Sequence, residues 1–244
     1  MSAIFGPDRE NELKEAFFAH ARSGYFVEVG ANAPCDLSQT WHLEQLGWRG
    51  VLVEPQPELA AALRRQRLAK VYAAACGSPQ QAGRMMLLHL AGIHSSLDPY
   101  LNISTISPRG AIEVPVMTLD EILLDAGAPS PIDLLSVDVE GLEIEVLKGL
   151  DLNRWRPRLI LVEDLAMNLR LHRYLRSHGY KWMRRTGLNS WYVPRDAPIA
   201  VALTGRLQFV RKHYLGLPFR HLREASRRLR HGTWSPRRAA VPSP

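Results

Sequence analysis

A chain of 244 residues, 46% hydrophobic and 23% charged, has the size and composition of one soluble α/β domain with an appendage, which argues against fibrous, low-complexity and membrane-spanning classes. Its two cysteines, Cys35 and Cys76, make neither a CxxC metal pair nor a disulfide framework, and the opening MSAIFGPDRENELKE lacks the basic and apolar regions of a secretory signal, so a reducing, cytoplasmic setting is expected. The net charge of +7 is uneven: Arg206 to Arg238 holds ten Lys or Arg against the single acid Glu224, so that stretch carries +9 and the remainder −2.

In chain order, Pro7 to Ser23 has Leu13, Ala16, Phe17 and Ala21 near helical spacing, and Gly24 stops it. Tyr25–Val29 is a short apolar run ending at Gly30 and predicts a buried strand. Ser38 to Leu46 predicts a helix, Val51–Glu54 a second strand, Pro57 to Leu68 a helix with proline at its start, and Val71–Cys76 a third strand. Arg84–Leu90 and Ala111–Met117 read as strands around a polar loop, Gly92 to Gly110. Thr118 with Glu121 forms a capping box for a helix through Ala126. Ile132–Val139 is a continuous apolar strand, followed by a short helix from Glu143 to Lys148. Leu159–Glu163 is another buried strand, Leu169 to His178 a helix, and Tyr180–Arg184 with Ser190–Val193 a closing pair.

Alternating helices and strands, the strands too apolar to face water, predict a mostly parallel sheet covered by helices on both faces. Ligands of such sheets bind beyond the carboxyl ends of the strands. Those ends read Glu28-Val29-Gly30-Ala31-Asn32, Glu54-Pro55, Cys76-Gly77, Asp138-Val139-Glu140-Gly141 and Glu163-Asp164. Acids facing one cleft repel unless a cation or a hydroxyl-rich ligand lies among them. Glu54 is placed to accept both hydroxyls of a ribose, Gly30 to let backbone approach closely, and the next helix N-terminus to offer free N–H groups. The same acid would serve a nicotinamide dinucleotide, but the loop reads Gly30-Ala-Asn-Ala-Pro34-Cys35, without the second and third glycines of a pyrophosphate cradle.

These residues resemble a family. VEVGAN, then SQTWHLEQLGWRGVLVEPQP, AACGS, HSSL, VPVMTLDEIL and DLLSVDVEGLEIEVLKGL are similar, in this order, to FkbM-type methyltransferases, over Gly24 to Val193. The resemblance implies a Rossmann-like class I methyltransferase fold with a seven-stranded sheet whose last strand is antiparallel. It also implies S-adenosylmethionine as cofactor and O-methylation of a hydroxyl on a sugar, glycan, polyketide or related metabolite. Ala33-Pro34-Cys35 departs from the family's usual glycine-containing turn. The expected cofactor contacts are Glu28, Gly30, Ala31, Asn32, Ser38, Glu54, Pro55, Cys76 and Asp138. A nicotinamide oxidoreductase and a non-catalytic nucleoside-binding module are the alternatives.

Transfer to an alcohol benefits from a base or a divalent metal near the oxygen. Asp138 is the first candidate, because it ends a strand at the switch point. Glu140 and Glu163 could share a proton or a metal with it, although Glu140 could instead cap the following helix. His94, in the polar loop, is a further candidate base, and Asn102 and Ser104 are candidate substrate contacts. Cys76 reads as a small packing residue and Trp41, Trp48 and Trp155 as core or rim. A proposed division places the methyltransferase domain at 1–197, with an N-terminal helix over 1–23, and a basic C-terminal helix and tail at 198–244. Leu203, Leu207, Val210, Tyr214 and Leu217 form one narrow helical stripe. That stripe could dock on its own domain, or the segment could meet an anionic membrane surface or an acidic partner, leaving the enzyme peripheral at the membrane. Nucleic acid ranks last, since no interleaved aromatics accompany the arginines.

Overall fold

The computed structural model describes residues 7–91, 95–97, 110–164, 169–200, 203–219, 221–222 and 226. Helix α1 (Pro7–Phe17) precedes strand β1 (Tyr25–Val29), followed by α2 (Trp41–Gln45), β2 (Arg49–Val53), α3 (Pro57–Gln66) and β3 (Lys70–Tyr72). A small excursion of β4 (Ala75–Cys76), β5 (Met85–His89) and β6 (Ala111–Met117) follows, then α4 (Leu119–Ala126) and β7 (Leu134–Val137). Next come α5 (Glu143–Lys148), α6 (Leu152–Trp155), β8 (Leu159–Glu163), α7 (Arg170–Ser177), β9 (Tyr180–Thr186), β10 (Asn189–Pro194) and α8 (Leu203–Val210), the last running into a π-helical turn, Arg211–Leu215.

The main sheet has seven strands in the order β3-β2-β1-β7-β8-β10-β9. The strands from β3 to β8 are parallel, and β10 runs antiparallel between β8 and β9. The order reverses between β1 and β7, whose ends stay paired while the connections leaving them go to opposite sides of the sheet, the arrangement that leaves a crevice beyond the strand ends. Alternation along β1 fixes what each face holds. Val27 and Val29 join the core under α4 to α7, while Phe26 joins the opposite core with Phe18, Leu43, Trp48 and Leu63. Every residue of β7 is buried, as expected for a central parallel strand covered on both faces.

Several boundaries differ from the sequence-based expectation for identifiable reasons. The first helix ends at Phe17 rather than Ser23, because Ala19 and His20 adopt left-handed backbone and turn Phe18 inward against Trp48. The expected strand Val71–Cys76 is two strands: β3 belongs to the main sheet, and β4 leaves it to pair with β6 in a three-stranded sheet, β4-β6-β5. Helix α2 begins at Trp41, not Ser38, because Ser38 is used to bond Glu28 and the amides of Thr40 and Trp41. Helix α6 was not anticipated; Asp151 caps it by accepting from the amides of Asn153 and Arg154. The capping box forms as expected, with the Glu121 amide donating to Thr118 Oγ1 at 3.2 Å and the Thr118 amide to Glu121 Oε2 at 2.8 Å.

Candidate active site

The turn after β1 is built around one glycine. Gly30 has φ +81°, and a Cβ there would stand 1.8 Å from the carbonyl oxygen of Asp138. The close approach is therefore between the ends of β1 and β7, and it brings Asp138 to the mouth of the crevice. The amides of Gly30 and Ala31 both donate to the Val53 carbonyl, at 2.9 and 3.1 Å. The Asn32 amide donates to Glu54 Oε2 at 2.8 Å. No helix follows the turn directly, so the expected supply of free N–H groups is absent here: these three amides are spent on β2 and its end. A loop of that kind offers no phosphate cradle, which suits a nucleoside without phosphates.

Glu54 is 3% exposed, and its carboxylate accepts one backbone amide per oxygen, from Asn32 and from Gln56 at 2.9 Å. The Gln56 side chain is a further hydrogen-bond partner, and a carboxylate with about four lone-pair sites can still accept from the hydroxyls of a ribose diol beside these groups. Burial raises its pKa, opposed by the two amides. Gly30, Asn32, Glu54, Pro55, Cys76 and Asp138 line one cleft, together with Val53, Leu88, Leu97 and Leu142. Polar diol acceptor at one point and apolar walls around it are what an adenosine moiety needs. Cys76 is buried, and burial pushes its thiol far up, so it packs rather than reacts.

Glu28 and Ser38 stand elsewhere. Glu28 shares the Phe26 face of β1, where it accepts from Ser38 Oγ at 3.0 Å, from the Gln39 amide at 2.6 Å and from Thr40 Oγ1. It does not line the cofactor cleft; it fixes the loop before α2, which Lys14 and Arg67 clamp from either side. Ala31 is buried and also outside that lining. Glu28 has the same strand parity as Leu52 and hence Glu54, and what takes it out of the cleft is the loop folded against it, whose Ser38, Gln39 and Thr40 occupy its carboxylate.

Asp138, Glu140 and Glu163 converge: one carboxylate oxygen from each lies within 4.8 Å of the others. Glu163 is raised to about 9, by burial first and then by the Asp138 charge and hydrogen bond. Such a pair holds a proton that neither carboxylate would keep alone. The three oxygens also form a donor set fit for a divalent cation. Glu140 does not cap α5, which begins at Glu143 after Leu142; it has left-handed backbone, φ +55°, and its carbonyl accepts from Ser96 Oγ at 2.9 Å. Glu143 was not anticipated as part of the group. Its carboxylate accepts from the Gly141 amide at 2.8 Å and is raised to about 7, chiefly by burial. The signal lay in its place three residues after Glu140, masked by the ordinary preference for acids in a first helical turn. His94, Asn102 and Ser104 lie outside the described residues.

Behind this carboxylate group a second, larger cavity of about 600 Å³ opens. Asp138 and Glu163 form its inner end; α1 contributes Glu10 and Asn11, the β9–β10 hairpin Arg184, Thr186 and Asn189, and α8 Gly205 and Gln208. Glu10 accepts from Thr186 Oγ1 and from Asn189 Nδ2, the latter at 2.9 Å, tying the N-terminal helix to the last hairpin. Asp138 lines both cavities. Sequence reasoning missed the larger one because its walls come from segments far apart in the chain.

The strand order, the antiparallel β10 and the cleft at the β1/β7 switch are those of the Rossmann-like class I methyltransferases, which use S-adenosylmethionine. The methyltransferase FkbM domain matches residues 28–182, and the chain belongs to that family. No curated protein sequence matches it. Among solved structures, an FkbM methyltransferase from Methylobacillus flagellatus is 16% identical, with a TM-score of 0.44, over 77% of this chain and 50% of that one. The N-terminal domain of human METTL16 in complex with SAH is 14% identical, with a TM-score of 0.41, over 77% of this chain and 68% of that one. The chain thus spans half the length of the Methylobacillus structure.

Proposed function

We propose that this methyltransferase transfers the methyl group to a hydroxyl, and that its acceptor is a sugar, glycan, polyketide or related polar metabolite held in the larger cavity. The observation that carries the reading is the position of Asp138, which lines both the cleft at the β1/β7 switch and the larger cavity. Bound S-adenosylmethionine supplies an electrophilic methyl on a sulfonium. What the chain must supply is alignment and a destination for the acceptor's proton. Asp138 and Glu163 sharing one proton leave one carboxylate ionised, and that carboxylate would take the hydroxyl proton as the methyl carbon passes from the sulfonium sulfur to the acceptor oxygen, leaving S-adenosylhomocysteine. Glu10, Asn11, Arg184 and Asn189 give the cavity both donors and acceptors, which favours a polyhydroxylated acceptor over an apolar one. Gly30, Asn32, Glu54 and Pro55 would hold the cofactor.

The test is methyl transfer to a panel of hydroxylated acceptors. Asp138→Asn keeps the shape and removes the charge; turnover is expected to drop by roughly 10²–10⁴, the usual contribution of a general base, with little change in cofactor affinity. EDTA that leaves wild-type turnover unchanged assigns the carboxylates to proton transfer, and EDTA inhibition reversed by a divalent ion assigns them to metal binding. Turnover by Asp138→Asn at the wild-type rate would remove Asp138 from the reaction.

A further inference from the structure

We infer that the C-terminal helix docks the enzyme on an anionic lipid bilayer. The apolar stripe of α8 does not cover its own domain. Leu203, Leu207, Val210 and Tyr214 are 71%, 61%, 46% and 56% exposed. A different face packs inward. The Gln208 side chain accepts from the Arg185 amide and donates to the Arg185 carbonyl, at 3.2 and 2.9 Å, pairing with the edge of β9. Phe209 sits 5.2 Å from Trp182 and 4.6 Å from His172, centroid to centroid, and His213 is buried 3.8 Å from Asp164. At ~100° per residue, Gly205 lies about 200° around the helix from Leu203, so docking face and stripe are opposed.

The charge around the stripe selects its occupant. Arg206 and Arg211 are exposed and flank it, on either side of the line from Leu203 to Val210. Leu215, Phe219 and Leu222 continue the apolar exposure, at 64%, 73% and 65%. From Ala197 to Arg223 the sequence has no Asp or Glu. A second copy of the chain would set these arginines against their own equivalents. Nucleic acid would match the charge but leave the leucines in water. An interface of acyl chains beneath anionic headgroups satisfies both features at once.

Cosedimentation of the full chain with phosphatidylcholine vesicles, with and without phosphatidylglycerol, tests this. The protein is expected to pellet with the anionic vesicles only, and less as salt rises. Leu207→Asp with Val210→Asp, and separately Arg206→Glu with Arg211→Glu, should each lower the partition at least about tenfold. All variants should keep the wild-type melting shift with S-adenosylhomocysteine; if the aspartates unfold the helix, Leu207→Gln removes apolar surface without adding charge. Four outcomes overturn the inference: no pelleting at low salt, equal pelleting with neutral vesicles, or pelleting indifferent to the stripe variants, which would be a contact of charge alone. The fourth is a dimer by light scattering that Leu207→Asp dissolves, which would give the stripe to a second copy.

Discussion

Glu54 and Glu163 are carboxylates at strand ends, both pushed upward by burial, and they differ in what surrounds them: backbone amides oppose the shift at Glu54, whereas neighbouring acids add to it at Glu163. The Asn32 and Gln56 amides favour the charged form of Glu54 against its burial, whereas burial first and then Asp138, Glu140 and Glu143 press Glu163 toward its protonated form. Glu54→Ala is expected to weaken S-adenosylmethionine binding by about 1–3 kcal/mol, the scale of charge-assisted hydrogen bonds; isothermal calorimetry reads it, and a wild-type affinity would take Glu54 off the ribose. Glu163 leads to a stability prediction whose sign follows from linkage. With a folded pKa near 9 against 4.5 unfolded, the native state binds the extra proton across that interval, so stability falls as pH rises from 4.5 to 9. Glu163→Gln should leave the unfolding free energy unchanged near pH 4 and raise it at pH 8 by on the order of 1–2 kcal/mol after allowance for partial solvent screening, read by chemical denaturation at the two pH values. These residue-scale assignments were half legible. The acids near strand ends could be counted from the sequence, but which groups each one meets depends on the loops packed beside it: the loop before α2 occupies Glu28, whereas Glu54, just past β2, meets the turn amides of Asn32 and Gln56.

At the scale of elements, local chemistry was sufficient wherever a helix carried its own start signal. The capping box closes α4 in both directions, and Thr118→Ala should cost about 1 kcal/mol, lowering the melting temperature by about 2–4 °C in a differential scanning measurement. Where a boundary depends on a partner far away, the sequence was silent. Ser38 reads as a helix start but serves Glu28, and the run Val71–Cys76 reads as one strand but is divided between two sheets. The stripe of α8 is the sharpest case. Its periodicity was visible, and a docking role was a natural inference, yet the structure docks the helix through Gln208, Phe209 and His213 and leaves the stripe outward.

The whole molecule places two cavities against one carboxylate group, a cleft at the β1/β7 crevice and a larger cavity lined by α1, the last hairpin and α8, the first proposed for the cofactor and the second for the acceptor. Because only the folded state has the cleft, S-adenosylhomocysteine at a hundred times its Kd should stabilise the protein by about 2.7 kcal/mol, while NAD should leave the melting temperature unchanged; a shift with NAD instead would reopen the oxidoreductase alternative. Alternation of apolar runs determined the parallel sheet, the acids at strand ends pointed to where a ligand would bind, and the class came from the resemblance of the motifs from VEVGAN to DLLSVDVEGLEIEVLKGL, because those signals are local and the rule placing ligands at strand ends is general to the architecture. Only the tertiary structure decided the acceptor cavity, the company kept by Glu28 and Glu143, and the outward turn of the C-terminal stripe. Each of these depends on which segments, distant along the chain, lie side by side, and pairwise proximity across such separations has no periodicity for a single sequence to display.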